Sequence, residues 1–374
     1  MDKPEILVNH RCPRRIINLI NKIRSAADSH QQQPGPDAIE GQVRLFIATV
    51  AATNKQAIEE QARRKMAEVA GDQKWQELKH VKTLTLEHHM AAKRMGFLEM
   101  FDPLDQIDDF SNGLRDGTLP MLRFFTELVL PLVVAKQDGN EFAATAVVRK
   151  DSPLLQMPAL QAAGADQLSQ VKAAKKAVEA LLDLFSNGAQ PRFLDVLHCV
   201  AQNQLFEVPD VLLAFAPQAD DPASVIETTE EDTTPEEAVS KRLAGIRRFL
   251  NTPFWQIRPY AAYVKGETPC GTHQGVKGLE FPRVMVVIDD EEARGFLFSY
   301  EKLFGAKDKT STDLKNEREG KETWIQRTRR LFYVTCSRTQ SSLAIIAYTS
   351  NPGKVREHAV GQGWFEPDEI EFLA

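Results

Sequence analysis

Arg11, Glu280 and Arg338 are the residues whose types and settings best suit the handling of a nucleotide, and each also has a plainer reading. Arg338 follows Gln326–Ser337, QRTRRLFYVTCS, a stretch that also carries Arg327, Arg329 and Arg330. A guanidinium fixed beside a nucleotide neutralises charge developing on a transferred phosphoryl group, an effect of roughly 10³–10⁵ in turnover in other NTPases. The plainer reading is a favourable contact with the negative end of a helix dipole. Arg11 stands between Asn9-His10 and Cys12-Pro13, where it serves equally well as a residue packed at a helix start. Glu280 follows Gly278-Leu279. A carboxylate there can accept hydrogen bonds from ribose hydroxyls, or simply face solvent.

What is missing constrains the chemistry as much. A phosphate cradle of the form GxxxxGK[ST] needs backbone amides, a lysine and a hydroxyl together. The Gly-Lys pairs here are Gly320-Lys321, followed by Glu322, and Gly353-Lys354, followed by Val355, and neither fits. Asp289-Asp290-Glu291-Glu292 closes the apolar run VMVVI and mimics a magnesium-holding strand end. Those acids suit the positive end of a helix better, so the expectation is that they open one. The four cysteines form no CxxC pair and no histidine spacing completes a zinc site, so no metal residue is expected.

The elements that must position these groups fall into two kinds. Val284–Ile288 (VMVVI) and Ser342–Tyr348 (SLAIIAY) are apolar without alternation, the pattern of strands buried on both faces of a parallel sheet. Gln42–Val50 and Val81–Leu86 also read as strands. Helical spacing is clear in Arg14–Ile23, Lys55–Val69, His88–Phe97 and Trp324–Ser337. From about Asp102 to Tyr263 strands vanish, and Leu122–Gln137, Gln167–Phe185, Phe193–Leu205 and Ala238–Leu250 read as helices. The expected architecture is one α/β lobe, 1–101 plus 264–374, interrupted by a helical insertion over 102–263. Within the insertion, 216–237 reads as a solvated linker, with eight carboxylates and no Lys or Arg between Asp220 and Glu237. Gly305–Glu322 reads as a charged, exposed loop.

A length of 374 residues suggests two domains, and 43% hydrophobic with 26% charged residues is ordinary for a globular chain. A net charge of −6 argues against wrapping nucleic acid by bulk charge, though a local basic groove remains compatible with it. No apolar run reaches the ~18 residues that span a bilayer, so Leu128–Ala135 reads as a buried helix and the chain as cytoplasmic.

Three stretches together resemble the C-terminal half of superfamily 1 DNA helicases of the UvrD/Rep/PcrA type. Leu7–Asn21 (LVNHRCPRRIINLIN) is similar to motif IV, Thr272–Val287 (THQGVKGLEFPRVMVV) to motif V, and Arg327–Thr339 (RTRRLFYVTCSRT) to motif VI. Their order fits, with a helical insertion between motifs IV and V in the place of subdomain 2B. The resemblance implies a RecA-like second lobe of an ATP-dependent DNA helicase, contacting single-stranded DNA and moving 3′ to 5′. Arg11 and Arg338 would reach the γ-phosphate, His10 would stack on the base in place of the usual Tyr, Glu280 would contact the ribose, and Gly278 would shape the loop. Thr272, His273 and Gln274 would lie on the DNA side, with Gln274 where the family has His. Arg327-Thr328 replaces the usual Glu pair of motif VI. ATP and magnesium would be held mainly by a first lobe that this chain lacks, supplied in cis or in trans, so the chain alone is expected to be inactive. The helical insertion would offer a surface to a protein partner. The alternative is a helicase-like DNA-binding or scaffold subunit without catalysis. A nuclease-linked subunit is weaker still, because no cluster of nuclease-type acids stands out.

Overall fold

Val284–Ile288 runs through the middle of a six-stranded sheet in the computed structural model, which describes residues 8–26, 30–217, 235–295 and 297–374. The strands are β1 (Gln42–Thr49), β2 (Lys82–Thr85), β3 (Cys270–Thr272), β4 (Phe281–Ile288), β5 (Thr339–Thr349) and β6 (Ile370–Phe372). Their order is β3-β2-β4-β5-β1-β6, and every pair is parallel. The protein is therefore mixed α/β with a parallel sheet, as its unalternating apolar strands predict. Val284, Met285, Val286 and Val287 are fully buried, as are Leu343, Ala344, Ile345 and Ile346 beside them. Pro282 cannot donate to a ladder, and the β4–β5 register shifts between Phe281 and Arg283, where it sits.

Helices cover the sheet: α1 (Arg14–Arg24), α2 (Lys55–Ala70), α3 (His88–Met95), α4 (Trp324–Cys336) and α5 (Pro352–Gly361). Helix α1 buries Ile16, Ile17, Leu19, Ile20 and Ile23, one face of the periodicity read from sequence. Helix α2 starts where the Asn54 side chain accepts from Ala57 N and stops at left-handed Gly71. Helix α4 opens with a capping box between Thr323 and Gln326 and buries Leu331, Phe332 and Cys336.

The chain divides into two compact units, 1–94 with 268–374, and 95–267. The sequence alone puts this change of character at 102 and 264, a few residues from the observed boundaries. Among the second unit's described residues the regular elements are helices, with one isolated antiparallel bridge between Arg192 and Pro253. Its centre is aromatic: Phe193 lies 4.9 Å from Phe125 and 4.5 Å from Phe249, ring centre to ring centre.

Two expectations change here. Asp108–Gln137 is long and apolar enough to cross a membrane, contrary to the reading that no stretch is. Its most apolar window is 56% buried, and Phe125, Leu132 and Val133 are fully enclosed, so the stretch is accounted for by the core of the second unit. Within it, left-handed Gly117 closes one short helix before Pro120 opens the next. The charged stretch Gly305–Glu322 is not simply a loop, because Ser311–Arg318 is a helix. Thr310 and Asp313 cap it reciprocally, and Asp313, 2% exposed, takes an ion pair from Lys302 at 2.6 Å. The acidic linker expected over 216–237 lies mostly outside the described residues; its last residues begin the helix Pro235–Leu250.

Candidate functional site

The connection from β3 to β4 runs back against the strand direction, so its two ends lie at opposite edges of the sheet. Thr272 pairs with Thr85, and Leu84 with Val286, which sets Thr272 level with Val287. Glu280 lies seven residues before that point, ~23 Å along the strands at ~3.3 Å per residue. Val276, buried in the core, pins the middle of the connection. Gly278 has φ +82°, a left-handed conformation that glycine adopts without strain, and a Cβ there would meet nothing.

At the N-terminal edge of the strands, the expected residues converge. Phe281 N donates to Arg338 O at 2.8 Å, which locks the start of β4 to the start of β5. Glu280 and Arg338 precede those strands and are thereby brought to one place. Arg11 arrives from the chain segment before α1. The Asn9 side chain accepts from Arg11 N at 2.8 Å and Cys12 N at 2.9 Å, and Cys12 Sγ donates to Ser337 O at 3.4 Å. Arg11 Nε lies 2.8 Å from Glu280 Oε2, with the two side chains 36% and 45% exposed. Arg338 is held from three sides: Nε donates to Val334 O at 3.0 Å, Nη2 to Ser337 Oγ at 3.0 Å and Nη1 to Leu279 O at 3.3 Å. Burial, and then repulsion from Arg11, push its guanidinium below the usual arginine range. An arginine so placed stays cationic, and two guanidinia facing one carboxylate leave a local excess of positive charge. That arrangement can receive an anion. His10 is exposed, with its ring against Gly35, where a Cβ would meet Nδ1 at 3.1 Å.

The opposite end of the connection differs from expectation. His273 is fully buried: Nδ1 lies 3.1 Å from Tyr300 Oη and Nε2 3.2 Å from Leu84 O. Burial pushes its pKa down to about 4. The DNA contact expected of His273 is therefore withdrawn, since the ring is a satisfied core group out of reach of a polymer. Thr272 is 5% exposed, and its hydroxyl accepts from Gly275 N at 3.1 Å, closing the turn. Gln274 alone of the three is exposed.

The acids after β4 behave as helix openers. The Asp289 side chain accepts from Glu292 N at 2.8 Å and is ion-paired with Lys55. Glu292 meets Arg94 at 3.2 Å and Lys93 at 3.4 Å, and Arg94 also holds Glu59 at 2.7 Å. Among the described residues, no three His, Cys, Asp or Glu side chains gather closely enough to hold a metal ion. Sequence reasoning missed Cys12 and the Leu279 carbonyl as supports of the arginine cluster. Their only signal was adjacency to Arg11 and Glu280.

The chain matches no protein-family model and no curated protein.

Proposed function

We propose that this chain is the second, RecA-like motor lobe of an ATP-dependent DNA helicase, with a helical insertion. One observation carries the reading most. Arg11, Glu280 and Arg338, far apart in sequence, meet at one edge of a parallel sheet with cationic charge to spare. Their donor set suits the outer side of a triphosphate. Nothing in it supplies a cradle for the phosphates or for magnesium, which in this reading belong to a first lobe acting in cis or in trans.

ATP, when bound between the lobes, supplies the phosphoryl group whose transfer to water drives the motor. Arg338, tied to the last turn of α4, presents a preorganised cation to the charge that develops. Arg11 adds a second cation once Glu280 releases it, and the freed carboxylate is then able to accept from ribose hydroxyls. The β3–β4 connection joins this edge to Gln274 at the far edge, so a shift at Glu280 is transmitted toward the strand of DNA.

The test is single-stranded-DNA-stimulated ATP hydrolysis. The chain alone is expected to hydrolyse no ATP. Joined by a lobe carrying GxxxxGK[ST], it should turn over, and Arg338→Ala should abolish turnover while ATP binding survives. Turnover unchanged by that substitution refutes the assignment.

A further inference from the structure

A cavity of about 260 Å³ lies away from the arginine cluster, within the α/β unit. It sits under the loop from β1 to α2, between α2, α3 and the β2–β3 ladder, with Thr83 and Cys270 side by side on its floor. Two polar groups in its wall lack partners. Thr83 is 1% exposed and its Oγ1 makes no hydrogen bond, and the Nε of Arg63 is buried and equally unsatisfied. Buried hydroxyls and guanidinium N–H groups are almost always paired, because leaving one unpaired forfeits the hydrogen bond it had in water.

The charge of the lining is uneven. Arg94 is held by Glu59 and Glu292, Lys93 by Glu292 and Lys55 by Asp289 outside the lining, whereas Arg63 faces the cavity with no ion pair among the described residues. Glu59 and Glu60 act on Arg63 only through space. Burial depresses the basicity of Arg63, the mark of a cation with too little negative charge nearby. The Cys270 thiol is pushed up to about 11 by burial, so it adds no negative charge at neutral pH. An unpaired hydroxyl and an unpaired guanidinium N–H share one polar cavity with excess positive charge. This is the donor set for a compact oxyanion, which accepts from every direction and needs no donor of its own.

We infer that the cavity beneath the β1–α2 loop binds a small free oxyanion, inorganic phosphate or the head of a phosphomonoester, through Arg63 and the Thr83 hydroxyl. The inference stands apart from the helicase reading, since none of these residues belongs to the arginine cluster.

The experiment uses the whole chain and inorganic phosphate, with sodium chloride matching ionic strength. Phosphate should raise the melting temperature by several degrees in a saturable way, as a ligand of the folded state does. Arg63→Gln should weaken phosphate at least tenfold. Thr83→Val is nearly isosteric and removes a hydroxyl that has no partner. Without phosphate it should melt no lower than wild type, and its phosphate affinity should fall at least fivefold. If Arg63→Gln does not fold, Thr83→Val decides alone. No phosphate-dependent shift, or one that Thr83→Val leaves intact, overturns the inference. So does a cavity that takes a short oligothymidylate, lost in Thr83→Val, but not inorganic phosphate.

Discussion

The two edges of the parallel sheet use the same residue types to opposite ends. At the C-terminal edge, Arg94 is 11% exposed and lies against Glu59 and Glu292, themselves 6% and 8% exposed. Lys55 is paired with Asp289. At the N-terminal edge, Arg338 has only neutral hydrogen-bond partners, and Arg11 has one half-exposed carboxylate. Arg94 is held above the usual arginine range because its two carboxylates outweigh the cost of its burial. Arg338 is pushed the other way, by burial and by Arg11. An arginine whose charge is answered within the fold is structural. One whose charge is left unanswered at a sheet edge is available to a ligand.

That contrast can be broken by substitution. Arg94→Ala should cost about 3–5 kcal/mol in urea unfolding, because it leaves two carboxylates buried without their cation. A loss under ~1 kcal/mol would mean the network is ornamental. His273 gives the next largest effect. The unfolded state takes up its proton near pH 6.5 and the folded state near pH 4. Its contribution is thus neutral above pH ~6.5, and stability drains away as pH falls toward ~4, by roughly 3 kcal/mol. Unfolding at several pH values should show this slope, and His273→Gln should flatten it; an unaltered slope assigns it elsewhere. Glu292 acts at lower pH than His273. Burial pushes its carboxyl up, but Arg94 outweighs this and leaves it below the usual range. Its stabilisation is full above the ordinary Glu pKa and is lost as pH falls through the depressed value. The smallest effect belongs to Glu280→Gln, which breaks a half-exposed ion pair with Arg11 and should change stability by no more than ~1 kcal/mol. A larger loss would move Glu280 to the structural side of the comparison.

Much of the fold was legible because its signals are local. The unbroken apolar runs of β4 and β5 permit little besides a doubly covered sheet, and Thr323 with Gln326 marks the start of α4 within four residues. The convergence of Arg11, Glu280 and Arg338 was legible only through motif resemblance, since nothing local says that three loops meet. What escaped depends on tertiary context. Cys270–Thr272 looks like a turn, and becomes β3 because β2 offers it a ladder. His273 follows it among polar residues, yet Leu84 and Tyr300, distant in sequence, enclose its ring. The helix Ser311–Arg318 hid in a stretch too charged to show an apolar face, and was set by a capping box and by Lys302 beneath Asp313.

The most direct measurement sets two arginines side by side in one protein, with a phosphate-cradling lobe supplied. Arg338→Ala should reduce single-stranded-DNA-stimulated ATP turnover by at least ~10³ while ATP affinity and melting temperature stay near wild type. Arg94→Ala should lower the melting temperature. Wild-type turnover in Arg338→Ala, or turnover lost only in proportion to lost folding, would contradict a nucleotide-facing role for Arg338.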